Sequence, residues 1–367
     1  MTSTSHNIDS HSMRNPQAVL RLTALWAVVE SGLGGILHAF RLPLTGLVIG
    51  GTAVILITLI AHFAEKPREI LRATIIVLLI KALVSPHSPI GAYIAVGFQG
   101  ILGWLIYSIM RPGYVSSIPF ALIALVESAI QKLLMLLLFF GKPLMTAVDG
   151  WGMWVLERYF PSHVDDGLSL SWTLVAGYVG VYIVGGLVVG ILAVRVPKAI
   201  AAHLDDLSNQ SDFSFTMESI YEEETPVIVK KGSRKRRRFI WWIGIALALG
   251  SSIYFGNSTN DALSSAILYL VRTVAIVAIW YFLVGPWLAR LFRKWLLGQS
   301  SQYANDLEEV MEVLPQLKQV AKQEFGKLSA SYTGLSLYRR WLMRVLAVSL
   351  TIELSPKPAQ ETLTHAE

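Results

Sequence analysis

Six side chains with ionisable or amide groups stand inside runs that are otherwise apolar: Glu30, Lys81, Glu127, Gln131, Lys132 and Arg272. A charge at membrane depth is costly unless it faces protein, a partner charge or water, so such positions mark either function or paired structure. Glu127 and Gln131 are four residues apart and share one helix face. The signs balance, with Glu30 and Glu127 against Lys81 and Lys132. Two readings therefore stand. In one, these residues form buried ion pairs that fix helix packing. In the other, Glu30, Lys81, Glu127, Gln131 and Lys132 line a polar substrate pocket with His38, Arg41 and His87 at its mouth. Lys81 favours the pocket, because it adjoins the corner Ser85-Pro86-His87-Ser88-Pro89. Arg272 has no evident partner in its own half and reads as structural.

Other chemistry is missing from the sequence. It contains no GxxxxGK[ST] phosphate loop, no HExxH zinc helix and no GxSxG nucleophile elbow. There is no cysteine, so neither a disulfide framework nor a thiolate metal site can form. The eight histidines are scattered. The expectation is a protein that is not an enzyme and that uses no metal or cofactor.

The elements that must hold these polar groups are helices. Hydrophobic residues make up 53% of the 367 positions and charged residues 15%, with mean hydropathy +0.52. Soluble domains carry about 25% charged residues, so the composition points to an all-α, polytopic membrane protein. Eight runs approach the roughly 20 residues needed to cross a bilayer: 20–37, 44–62, 70–84, 90–110, 116–140, 168–194, 239–256 and 262–289. The third is short. With the N-terminus inside, nearly all lysines and arginines outside the runs fall in 1–19, 63–69, 111–115, 195–238 and 290–367. The intervening segments hold only Arg41, Lys142 and Arg158. Basic residues favour the cytoplasmic side, so the reading is a cell inner-membrane protein with both ends inside. The net charge of +6 then reflects cytoplasmic loops and not a nucleic-acid partner.

The chain divides accordingly. Residues 1–17 read as a disordered tail without the layout of a cleaved signal peptide. Residues 18–195 form a six-span domain. Residues 196–238 carry an acidic stretch and then the basic run Lys230 to Arg238, the composition of a flexible linker. That run serves as an orientation signal or a contact for anionic headgroups. Residues 239–354 hold two spans and two amphipathic helices. In the first of these, 303–325, Leu307, Val310, Met311, Leu314 and Leu317 make an apolar stripe. Pro315 is expected to kink or break it. The second, 335–350, sets Leu335, Tyr338, Trp341, Leu342, Val345 and Leu346 against Arg339, Arg340 and Arg344. Residues 355–367 read as a second disordered tail.

Three stretches carry a family resemblance: LWAVVESGLGGILHAFRLPLTG, KALVSPHSPIGAYIAVGFQGILG and ESAIQKLLMLLLFFGK. With their order of spans, they resemble the substrate-binding S component of energy-coupling factor transporters over residues 18–195. The second half is similar in layout to the membrane scaffold, or T component, around VLPQLKQVAKQEFGKLSASYTGLSLYRRWLMRVLAVSL. The family uses small residues on its first helix to meet the scaffold. The nearest matches here are Thr23-xxx-Ala27 and Ser31-xxx-Gly35. The scaffold's Ala-Arg-Gly docking signature is replaced by Gln323-Glu324-Phe325. The resemblance implies uptake of a small polar or amphipathic substrate, powered by separate ABC-type ATPase subunits and assisted by a T component. Membrane lipids are the remaining partner. The alternative is a membrane scaffold or lipid-handling protein that transports nothing.

Overall fold

The computed structural model describes residues 15–33, 44–85, 88–159, 169–208 and 262–351. His38, Arg41 and His87, the seventh apolar run, the basic run 230–238 and the tails beyond residues 15 and 351 lie outside the described residues. Within them every regular element is helical. In chain order these are α1 (Pro16–Val28, extended by a π turn, Val29–Leu33), α2 (Thr45–Phe63), α3 (Arg68–Val84), α4 (Ile90–Ile109), α5 (Tyr114–Phe140), α6 (Lys142–Tyr159) and α7 (Leu170–Ser208). Then come α8 (Ala262–Ile279, a π turn Trp280–Val284, and Gly285–Gln299), α9 (Ala304–Ser329) and α10 (Gly334–Thr351).

Five helices are long and apolar enough to cross a membrane: Thr45–Phe63, Ile90–Ile109, Tyr114–Phe140, Leu170–Ile200 and Tyr269–Gln299. Among the described residues, the helices at the first and third expected spans do not reach spanning length, the first being described only to Leu33. Pro16–Val28 has 13 residues before its π turn and Arg68–Val84 has 17. At 1.5 Å per residue, the latter covers about 26 Å of a hydrocarbon core about 30 Å thick. These two are also wrapped by protein. Leu22, Trp26, Ala27, Ile70, Val77 and Ile80 are fully buried, so neither helix needs a long lipid-facing surface.

Three other boundaries differ from the sequence reading. The expected outer loop 141–167 contains helix α6. Helix α7 runs without interruption through Pro197 to Ser208, so the start of the expected linker is helical. Helix α9 continues through Pro315, where a kink or break was expected. Tertiary packing of the helix on both sides of a proline outweighs one lost backbone bond.

Local chemistry sets the near end of the bundle. Pro16 opens α1, and the Asn15 side chain accepts from the backbone N–H of Gln17 at 3.0 Å and Ala18 at 3.3 Å. The Asn15 N–H itself donates to the Phe63 carbonyl at the end of α2. Deeper in, Tyr107 of α4 ties Thr58 of α2 (2.7 Å) to Ser117 of α5 (3.0 Å). Close helix approach relies on glycine. A Cβ on Gly190 of α7 would lie 2.7 Å from the Ile118 Cα of α5, and one on Gly100 of α4 would run into Thr74 of α3. Small residues at such crossings let backbones meet.

The C-terminal helices close over α1 and α3. Val310, Val313, Leu317, Leu346 and Ala347 are buried in the same apolar cluster as Leu22, Trp26 and Ile76. Leu307 and Leu314 pack against its edge, whereas Met311 stays 40% exposed. Arg21 of α1 is buried and donates to the carbonyls of Ser349 (3.4 Å) and Leu350 (3.0 Å), the last turn of α10, where a cation is favoured. Arg72 of α3 forms an ion pair with Asp306 of α9. The hairpin is fastened internally as well. Glu324 is wholly buried, 2.8 Å from Arg344 Nε and 3.1 Å from Lys327 Nζ, and Trp341 Nε1 donates to the Ala321 carbonyl at 2.7 Å. The Arg344 contact is an ion pair only, since its Nε–H is not aligned for a hydrogen bond.

Candidate functional site

At the far end of the bundle, the π turn of α1 carries Glu30. The wider turn is a frequent feature of functional sites. Ser31 Oγ donates to the Ala27 carbonyl at 2.5 Å. Glu30 Oε2 receives Lys81 Nζ of α3 at 2.6 Å, and each side chain is only 4% exposed. The two charges therefore neutralise one another away from water, in the last turn of α3, where a lysine is also favoured by the helix dipole.

Tyr93 of α4 completes this corner. It is buried, and its hydroxyl lies 3.4 Å from the Lys81 carbonyl and 3.3 Å from that of Ser85. Ser85 and Ser88 hydroxyls meet at 2.9 Å. One helix further, Gln131 Nε2 of α5 donates to the Gly91 carbonyl at the start of α4 (3.0 Å). Arg293 of α8 donates from Nη2 to the Ala82 carbonyl at 3.0 Å. A cavity of about 90 Å³ opens between this arginine, Arg290, Phe292, Tyr93, Ser88 and Ala82.

Of the residues expected to form a pocket, Glu30 and Lys81 meet directly, and Gln131 reaches the same end through Gly91. Glu127 and Lys132 are partly buried on α5. The Glu127 Oε2 atom is buried without a hydrogen-bond partner among the described residues. No ion pair joins Glu127 to Lys132 among the described residues; five positions apart on a helix, they point about 140° away from each other. Arg272 is exposed on α8.

Four polar contributors were not singled out in the sequence: Tyr93, Arg290, Arg293 and Gln99. Gln99 is 2% exposed on α4 with Oε1 unpartnered among the described residues, and its Nε2 would lie 3.1 Å from a Cβ on Gly50 of α2. A lone amide in the apolar run Ile90–Ile109 was the available signal. The arginines were counted with a cytoplasmic segment starting at 290. Instead α8 continues to Gln299 and holds Arg293 beside Ala82, so the descent to the near end takes place between Arg293 and Asp306.

Outside the spans, Asp149 of α6 clamps the start of α7. It accepts from the Ser171 N–H (2.7 Å) and from the hydroxyls of Ser171 (2.9 Å) and Ser169 (3.1 Å). These donors, led by the Ser171 N–H, hold its carboxyl below the ordinary aspartate range. No cluster of three or more metal-ligating side chains occurs among the described residues.

Five apolar helices of spanning length among the described residues define a candidate multi-pass membrane protein. Compared with known proteins, the chain matches no family model, no curated protein and no solved structure.

Proposed function

We propose that this protein binds a small polar or amphipathic compound at the far end of its bundle and serves its uptake across the inner membrane, with separate ATPase subunits supplying the energy. Both chain ends then lie in the cytoplasm and the far end faces outward. The observation that carries this reading is the seat of the α9–α10 hairpin on α1 and α3. In the family the sequence resembles, the first helix is the surface that meets the scaffold. Here a hairpin of the same chain occupies it.

The polar side chains from α1, α3, α4 and α5 supply the binding end, with Lys81 and Glu30 as its charged centre. A ligand that carries both signs, or a carboxylate next to a donor, exchanges with that pair without leaving either charge bare. Mass spectrometry of small molecules retained by the purified protein tests the proposal. A compound retained by the wild type and lost in a folded Lys81→Ala variant supports it. A folded wild type that retains nothing beyond lipid and detergent favours the second reading, a scaffold or lipid-handling protein. That reading draws on the Glu30–Lys81 pair itself, which at 2.6 Å is already complete.

A further inference from the structure

The last part of α8, Gly285–Gln299, reads GPWLARLFRKWLLGQ. Trp287, Leu291 and Trp295 recur at four-residue steps and stand 57%, 57% and 52% exposed. Leu296 on the opposite side is fully buried, and the Phe292 ring packs between Tyr93 (centroids 5.6 Å) and Trp295 (5.7 Å). Arg290, Arg293 and Lys294 take the remaining side, next to the exposed stripe. An aromatic and apolar stripe flanked by arginine and lysine suits the boundary between acyl chains and headgroups.

The cavity beside it has the matching chemistry. It measures about 90 Å³, several times the roughly 10–15 Å³ that one water needs. Its wall holds Arg290, Arg293, Ser88 and Tyr93 and, among the described residues, no carboxylate. Arg290 uses Nε on the Pro286 carbonyl (3.1 Å), and Arg293 uses Nη2 on that of Ala82 (3.0 Å). An arginine has five N–H donors in a planar fork that fits phosphate oxygens in pairs, so each retains donors for a ligand. We infer that this cavity is the seat of the phosphate of an anionic phospholipid whose acyl chains lie along Trp287, Leu291 and Trp295. Charge complementarity selects an anion. The apolar stripe that runs on from the arginines selects a lipid over a soluble one. Glu30 and Lys81 do not line this seat, although it shares Tyr93 and Ser88 with the corner described above.

Native mass spectrometry of the full chain, delipidated in detergent, tests this seat. The probes are equimolar phosphatidylglycerol and phosphatidylcholine of the same acyl length, with inorganic phosphate alone in a separate sample. The wild type is expected to retain one phosphatidylglycerol in preference to phosphatidylcholine by about tenfold, the worth of one charge-assisted hydrogen bond. The preference should fall to near unity in Arg290→Gln/Arg293→Gln and persist in Arg290→Lys. Because Arg293 also holds Ala82, the double variant is paired with Arg290→Gln alone, whose only hydrogen bond among the described residues is within its own turn. That single variant should lose at least half of the preference in logarithmic terms. Equal retention of the two lipids by the wild type overturns the inference. So does an unchanged preference in both glutamine variants, or retention of inorganic phosphate alone by the wild type that is lost in the same variants.

Discussion

Glu30 and Lys81 are worth more as a pair than as two separate charges. Removing one partner leaves the other buried and uncompensated, at a cost of about 3–5 kcal/mol. Glu30→Gln and Lys81→Met should each destabilise the detergent-solubilised protein by that order in denaturant unfolding. The double variant Glu30→Gln/Lys81→Met should recover much of the loss. Losses that simply add would show that the two side chains are not coupled. Balanced charges in apolar runs made pairing one of two readings of the sequence, but Lys81 was read toward a pocket and nothing in the sequence matched it to Glu30. Gln99 was not legible, since a neutral amide upsets no charge balance. Asp149 makes a separate prediction. Its folded carboxyl sits below the unfolded value near 3.9, so its clamp contributes stability above that value and loses it as pH falls through the lower folded one. Acid titration between about pH 5 and pH 2 should release α6 from α7, read by the fluorescence of the neighbouring Trp151 and Trp154. Asp149→Asn should lack that step. A step of equal size in the variant would assign it to other groups.

Helix crossings set which substitutions a bundle tolerates. On α7, Gly190 faces the backbone of α5, whereas a Cβ on Gly177 would meet nothing within 4 Å. Gly190→Ala should lower thermal stability in detergent by about 1–3 kcal/mol, the usual cost of overpacking. Gly177→Ala should be neutral or slightly stabilising, because alanine is the better helix former. Similar effects from both would mean that α5 and α7 do not approach as closely as described. The same contrast applies to α9, where Leu317 is buried and Met311 is 40% exposed. Leu317→Asp should destabilise the isolated protein and Met311→Asp should not. Equal effects would place both on one covered face. The amphipathic pattern revealed the stripe but not its edges, because five residues spread over a helix face cover a wider arc than the facing helices bury. Helix α6 was missed because its mixed composition, with Asp149, Gly150 and Gly152, weakens any periodic signal.

At the scale of the whole molecule, the two halves of the sequence meet on one face of the bundle. The long apolar helices were readable from hydropathy, whereas α6 was not. That the stripe of α9 packs within this chain or on lipid and braces the first domain was legible too; that α1 and α3 receive it was not, because an apolar stripe specifies burial without naming the surface that buries it. The orientation follows from the basic residues and is open to labelling, since the native chain has no cysteine. A cysteine at Gly150 should react with an impermeant reagent from outside intact cells and one at Lys66 should not; the reverse would invert the bundle. The docking of the hairpin is the centre of the account, and the Arg72–Asp306 contact tests it most directly. This pair is well exposed at Arg72, 56% by side chain, so its removal costs little, about 0–1 kcal/mol. Arg72→Cys/Asp306→Cys, treated in native membranes with a short bifunctional thiol reagent, should give an intramolecular cross-link in most molecules. Failure to cross-link, or cross-links only between copies of the chain, would contradict the docked hairpin.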